Sequence, residues 1–239
     1  MISLSQEWAI LSRHMYGQEF IDGLAEFFRQ QEIRELLECG CGDGHVLKGL
    51  AEHGFHVVGI DASSEMISMA LEHNQHPDIR YQQLNWLSLY MIDPTFDCVM
   101  CRGNSLTQCV SWERQQFDPH TAEKYLVKSL DLMFGKLNPG GLLYLDTISQ
   151  KETDNEGGEV EFNFENFYLE GKIKHDWKTR TRRTSGRGLI NGEEFSVTSC
   201  SYLIKPQEMI DLIRLYNPSK IWTPNIPHET NYQVICARK

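Results

Sequence analysis

Three glycines at alternate positions, Gly40, Gly42 and Gly44, follow Glu35-Leu-Leu-Glu38-Cys39, and Asp61 ends the segment His56-Val-Val-Gly-Ile-Asp61. Glycine serves where a backbone must take a positive φ or pass close to a ligand. A carboxylate at the tip of the next strand, seventeen residues beyond Gly44, can accept hydrogen bonds from both hydroxyls of a ribose. Together these residues have the chemistry of a nucleoside-cofactor pocket. The spacing also separates cofactors. A dinucleotide loop, Gly-x-Gly-x-x-Gly, would need a glycine at position 45, where this chain has His45, and no Lys-Ser/Thr pair closes the turn as a phosphate loop requires.

To hold that turn, the chain needs a strand ahead of it, a helix over residues 45–53 whose N-terminus faces the ligand, and a second strand ending at Asp61. The pattern then repeats. Ser64-Glu-Met66 opens a serine-capped helix that runs toward His73 and stops before Pro77. Strands over 79–84, 96–101 and 142–146 alternate with a helical spacing over 120–136, and strand, helix, strand five times over predicts an α/β fold with a doubly wound parallel sheet and helices on both faces. Ahead of the first strand, Trp8, Leu11, Met15, Phe20, Leu24 and Phe28 recur at near-helical intervals, which predicts one or two helices over residues 5–29.

Residues 151–204 change character. Acids and glycine fill 151–161, aromatic residues crowd 162–168, and stretches over 172–181 and 194–204 alternate like antiparallel strands around Asn191-Gly192. This reads as a small β lid that would exclude water from the site and offer Tyr168, His175, Trp177 and Tyr202 to it. The run Lys178-Thr-Arg180-Thr-Arg182-Arg183 is expected on one strand face, either simply solvated or drawing an anionic acceptor or carrier. A helix over 206–217 and strands over 220–222 and 232–237 follow. Three segments result: a cofactor-binding core with its preceding helices (1–150), the lid (151–204), and a last helix with two strands that rejoin the core (205–239).

Composition narrows the function classes. At 239 residues with 41% hydrophobic content the chain suits one domain with a sizeable core. Its 33 acids outnumber 23 basic residues, for a formal charge of −10, which works against wrapping a nucleic-acid backbone and favours small molecules. No run approaches the ~20 apolar residues of a membrane span, and the expected location is the cytoplasm. Seven cysteines, an odd number, suit reduced thiols. Cys39-x-Cys41 and Cys98-x-x-Cys101 fall on strands expected to be neighbours, so a four-thiolate zinc site is conceivable, but buried free thiols without metal are the expectation.

The run Glu38-x-Gly40-x-Gly42-x-Gly44 resembles the first motif of the class I S-adenosylmethionine-dependent methyltransferases. Leu84-Asn85-Trp86-Leu87, the segment from Phe96 through Arg102-Gly-Asn104-Ser, and Asn138-Pro-Gly-Gly through Asp146 follow in the family's order. Over roughly residues 10 to 150 the chain is most similar to the glycine/sarcosine N-methyltransferase group. The resemblance implies a Rossmann-like seven-stranded sheet, mostly parallel with the last strand antiparallel. It also implies S-adenosyl-L-methionine as cofactor, S-adenosyl-L-homocysteine as product and a small-molecule methyl acceptor. It assigns to the cofactor Glu38, the three glycines, Asp61, Ala62, Met66, Asn85 at the adenine edge and Trp86 over the ring. Tyr16 would be the N-terminal aromatic above it, and Arg102 would meet the methionyl carboxylate or an anionic substrate group. Asn104 would lie beside the acceptor, with Tyr168 and Tyr202 as further catalytic candidates. Relatives acting on glycine carry an arginine just after strand five, where this chain has Asp146-Thr-Ile-Ser149, so glycine itself is disfavoured. No base stands at a motif position, which favours an amine nitrogen over a hydroxyl. A small-molecule O-methyltransferase, a cofactor-binding module without turnover and a homodimer stay open, whereas the charge speaks against RNA as substrate.

Overall fold

The computed structural model describes residues 3–109 and 117–239. Its elements in chain order begin with α1 (Leu4–Met15), α2 (Gln18–Gln30), β1 (Glu35–Cys39), α3 (His45–Glu52), β2 (His56–Asp61), α4 (Ser64–His73), β3 (Ile79–Gln83) and β4 (Phe96–Cys101). Next come α5 (Pro119–Gly135), β5 (Leu137–Thr147), the single turn α6 (Gln150–Thr153) and four strands: β6 (Gly157–Phe164), β7 (Phe167–Asp176), β8 (Thr181–Ile190) and β9 (Glu193–Tyr202). The chain finishes with α7 (Pro206–Arg214), β10 (Lys220–Trp222) and β11 (Gln233–Arg238).

The main sheet has the order β10-β11-β5-β4-β1-β2-β3. β1 to β5 run parallel, and β11 is inserted antiparallel between β5 and β10, as the family resemblance implied. In β1, Leu36 through Cys39 are all buried, the continuous burial of a strand covered on both faces. One covering layer is α2 with α3, where Phe28 meets Tyr144 and Phe55 edge-on at centroid distances of 5.8 and 6.1 Å. The other is α5 with α7, which buries Leu126, Leu130, Met133 and Met209. Chain order reverses between β1 and β4, so the turns after these two strands open side by side into one crevice.

The β excursion is a separate antiparallel sheet, β6-β7-β8-β9. Asn191 and Gly192 both take positive φ, 50° and 83°, the two-residue turn that matches the twist of a hairpin. Strand β6 was hidden in the acid and glycine run: Glu159 and Glu161 alternate to solvent along an exposed edge, where charges are tolerated because they discourage edge pairing. The basic run does not share a strand face. Asp176 Oδ1 accepts from the backbone N–H groups of Lys178 and Thr179 at 2.9 and 3.1 Å, which bends residues 177–180 into a turn ahead of β8. Arg180 then chelates Glu208 of α7 at 3.0 and 2.6 Å, and Arg182 holds Glu152 of α6 at 3.1 and 2.9 Å. These arginines tie the small sheet to the core.

Strand five starts earlier than its apolar run suggests, at Leu137. Asn138-Pro-Gly-Gly is taken into it, with Gly140 at φ 76° and a register shift opposite Phe96 and Cys98. Cys39, Cys41, Cys98 and Cys101 are buried free thiols, and burial pushes each thiol pKa up. Among the described residues no His/Cys/Asp/Glu group is arranged to hold a metal ion, and no helix is long and apolar enough to cross a membrane.

Candidate functional site

The crevice at the β1/β4 switch point holds a cavity of about 460 Å³. Its floor is the glycine turn. Gly40 and Gly42 take φ of 80° and 57°, and both residues line the cavity. A Cβ at Gly42 would meet nothing nearer than the Met66 sulfur at 3.9 Å, so that position looks into open space. Gly44 does not line the cavity. At φ 77° it begins α3 with its Cα packed against Tyr81, which makes it a structural hinge of the turn.

Asp61 stands at the tip of β2 on the cavity wall. Its Oδ2 accepts from Gly42 N at 3.0 Å and its Oδ1 from Ser63 N at 2.9 Å, so the carboxylate is fixed in orientation with a further lone pair on each oxygen. Burial raises its pKa, and these backbone bonds pull it back. Ala62 and Met66 follow on the same wall. Asn85 spends its carbonyl on Leu87 N at 2.9 Å, leaving the amide nitrogen as the group it presents. Trp86 lies with Cζ3 3.1 Å from where a Gly40 Cβ would be, its flat ring closing the cavity beside the turn.

Arg102 and Tyr16 form the inner end of the cavity. The guanidinium carbon lies 4.8 Å from the Tyr16 ring centroid, and Nη2 is 2.7 Å from Glu38 Oε1. Glu38 therefore does not reach the cavity. At 0% exposure it sits beneath Arg102 as its counter-charge, and burial raises its pKa against the pull of that arginine. Nε and Nη1 of Arg102 and the hydroxyl of Tyr16 are buried with no hydrogen-bond partner among the described residues. Unmet donors at the end of a cavity suit a carboxylate or another planar acceptor.

The three residues expected to act on the acceptor do not meet here. Asn104 is buried with its side-chain oxygen accepting from Thr147 Oγ1 at 3.3 Å, turned under the loop because its backbone is pinned from below. Tyr168 projects from the small sheet and donates to Glu170 at 2.9 Å. Tyr202 is packed in the core near Phe117, under Arg180. His175 and Trp177 likewise belong to the joint: His175 Nδ1 pairs with the Asn155 carbonyl at 2.8 Å, and Trp177 lies between Arg180 and Lys205. Among the described residues none of 157–202 lines the cavity.

That place is taken by α1. Trp8, Ala9, Ser12 and Met15 of α1 line the cavity, while Leu11 joins Phe167, Leu169 and Ile190 of the small sheet and His14 stacks on Phe164 at 4.2 Å. The sheet thus backs α1 rather than covering the crevice itself. Arg13 locks α1 to the glycine turn through Asp43 at 2.7 Å, and Ser3 caps the helix while donating to Glu65 at 2.6 Å. Sequence spacing marked α1 as a helix without showing which face met the ligand. The signal for its anchor was the acid between two glycines, Asp43.

Burial pushes two acids near this site, Glu7 on α1 and Asp146 at the end of β5, up to about 7. Between the ordinary carboxylate range and about pH 7, both hold a proton in the folded chain where the unfolded chain has lost it. Their contribution to stability is thus complete below the ordinary carboxylate range and disappears as pH climbs through about 7. Chemical denaturation is expected to show stability falling by about 2 kcal/mol for each of the two acids between roughly pH 5 and pH 8, with Glu7→Gln flattening its share of the slope. Stability rising over that interval would contradict the assignment.

A family model described as a methyltransferase domain matches residues 36–141. Glycine N-methyltransferase from Rattus norvegicus is 30% identical over 138 residues, which cover 54% of this chain and 45% of that protein. A ubiquinone biosynthesis O-methyltransferase from Coxiella burnetii is 28% identical over 153 residues, covering 62% of this chain and 59% of the other. The chain thus spans about half the length of the curated relatives it matches. Among solved structures, SAM-bound CalS10, an amino pentose methyltransferase from Micromonospora echinaspora, has a TM-score of 0.70 at 18% identity, covering 100% of this chain and 98% of that one. At that identity the likeness is one of fold.

Proposed function

We propose that this chain, which belongs to the class I S-adenosylmethionine-dependent methyltransferases, transfers a methyl group to the amine nitrogen of a small molecule. When bound, S-adenosyl-L-methionine supplies a methyl group already activated on a sulfonium, and S-adenosyl-L-homocysteine remains. The protein's own work is then to bind, orient and exclude water. One observation carries the reading: Asp61 stands in the cavity with both oxygens already held in place by Gly42 N and Ser63 N, an acceptor pair preset for a ribose. Asn85 would meet the adenine edge and Trp86 its face. The free N–H groups of Arg102 with the Tyr16 hydroxyl would hold a carboxylate at the opposite end. Tyr16 through Trp86 would thus span one adenosyl-amino-acid molecule, and the cavity volume of about 460 Å³ is that of a small-ligand site.

The amine reading draws on the likeness to glycine N-methyltransferase and on the want of a base among the described residues lining the cavity: Asp61 would be taken by the ribose, and Asp43 is held by Arg13. A neutral amine attacks without a base, whereas a hydroxyl needs one. The O-methyl reading is kept by the Coxiella relative. A panel of amines and hydroxylated compounds, incubated with labelled S-adenosylmethionine and read by mass spectrometry for one added methyl group, separates them. Label on hydroxyl compounds alone would overturn the amine assignment.

The binding half has its own test. Asp61→Asn keeps the volume but gives up the charge, and is expected to weaken S-adenosylhomocysteine by about a hundredfold, the loss of two charge-assisted hydrogen bonds. Equal affinity in calorimetric titration would remove Asp61 from the site.

A further inference from the structure

We propose that Asp146 is a positioning residue for this cavity: its carboxylate grips the backbone N–H groups of Gly103 and Asn104 and so sets where Arg102, Gly103 and Ser105 meet the bound ligand. The proposal rests on the cofactor-binding reading above. β4 ends at Cys101, and the chain must turn over the tip of β5 to bring Arg102, Gly103 and Ser105 to the cavity. It does so with two successive left-handed residues, Gly103 at φ 68° and Asn104 at φ 55°, the second being a conformation that non-glycine residues resist. Successive N–H groups in such a turn point the same way and make a nest for an anion. Here the anion comes from the neighbouring strand. Asp146, 1% exposed, accepts from Gly103 N at 2.9 Å through Oδ2 and from Asn104 N at 2.6 Å through Oδ1. Thr147, the next residue, reaches Asn104 Oδ1, and Thr107 donates to the Asn104 carbonyl at 2.8 Å. The loop that lines the cavity therefore has its geometry dictated from β5, by a residue that does not itself line it.

The arrangement makes the grip sensitive to protonation. Burial lifts the Asp146 carboxyl to about 7, with the Asn104 and Gly103 N–H groups and Arg102 opposing and Glu229 reinforcing the rise. Tyr16, Tyr144, Tyr232, Cys101 and Glu229 are the other titratable groups that sense its charge. Once protonated, one oxygen becomes a hydroxyl, a donor and a much poorer acceptor, so the grip on one N–H of the nest weakens. A ligand that needs the gripped loop binds the ionised form better, and by linkage its binding drives the proton off.

The test uses the full chain and S-adenosylhomocysteine. Calorimetric titrations from about pH 6 to about pH 8, in buffers of different ionisation enthalpy, are expected to show affinity rising with pH and a proton released near neutrality. Asp146→Asn, isosteric but with one acceptor oxygen, is expected to bind about tenfold more weakly and to lose the Asp146 part of both the pH response and the proton release. Independently of any variant, the amide resonances of Gly103 and Asn104 in the wild-type protein are expected to titrate together near pH 7, with a midpoint that S-adenosylhomocysteine moves down. Amides indifferent to pH, a midpoint unmoved by the ligand, or an Asp146→Asn protein with wild-type affinity and pH response would each overturn the proposal. A wild-type protein that does not bind S-adenosylhomocysteine at all would instead reject the cofactor reading.

Discussion

Arg102→Ala is expected to lower the free energy of unfolding by about 3–5 kcal/mol, the cost of leaving a buried charge without its partner. The charge left behind is Glu38, which has 0% exposure and, among the described residues, only the guanidinium at 2.7 Å to compensate it. Deleting Arg102 also removes the cation from over the Tyr16 and Phe20 rings, 4.8 and 5.9 Å away, and empties the inner end of the cavity. Glu38 can then escape its isolation only by taking a proton, so the variant is expected to regain stability as pH falls. Removing both charges at once, with Arg102→Met and Glu38→Gln, is expected to recover most of the loss, because a buried ion pair replaced as a unit can be close to neutral. Urea denaturation of the three proteins decides the matter. An Arg102→Ala protein within about 1 kcal/mol of wild type would mean that Glu38 is not carrying an isolated charge. The double variant is expected to fold without regaining ligand, which separates the pair's two duties.

The second large effect is expected at Gly44. Its φ of 77° disfavours any side chain, and a Cβ there would fall 2.2 Å from the Tyr81 oxygen and 2.6 Å from its Cζ. Tyr81 has little freedom to withdraw, since its hydroxyl donates to the Asn74 carbonyl at 2.9 Å, with the Gly44 carbonyl 3.3 Å away. Strain and overpacking each cost on the order of 1–3 kcal/mol, so Gly44→Val is expected to lose about 4 kcal/mol and its affinity for S-adenosylhomocysteine with it. Gly54 supplies the comparison. Its φ is 89°, yet nothing lies within 4 Å of its Cβ position, so Gly54→Ala is expected to show the backbone cost alone, about 1 kcal/mol. If the two variants melt alike, the contact with Tyr81 carries no weight.

What could be seen in the chain beforehand follows from the range of the forces involved. The glycine turn, the acid at the end of β2, the capped α4 and the Asn191-Gly192 hairpin are local in sequence, and their residue types are dictated by φ values and hydrogen bonds within a few positions. The mostly parallel sheet with its last strand antiparallel came through the family resemblance, whereas spacing alone does not give the order in which the strands lie. What stayed hidden was long-range. Glu38 reads as a motif acid, and only the pairing of β1 with β4 reveals that it neutralises Arg102. Asp146 marked the absence of an arginine, although its carboxylate shapes the neighbouring loop. Tyr168 and Tyr202 were placed in the site by belonging to a presumed cover, but alternation along a strand gives faces without saying what they face. In the fold that partner is α1, whose Leu11 enters the small sheet's apolar cluster while Ser12 borders the cavity.

The antiparallel insertion of β11 has a consequence for how the protein is made. Translation delivers β5, with Asp146 at its tip, well before residues 233–238, and the whole of β6 to β9 and α7 must emerge in between. Until then β5 is a bare flank, rich in buried-type side chains from Leu142 to Leu145, open to pairing with any other nascent strand. The main sheet is therefore completed only when its last strand arrives, and a ribosome stalled short of it would hold a chain whose glycine turn is complete but whose sheet is not.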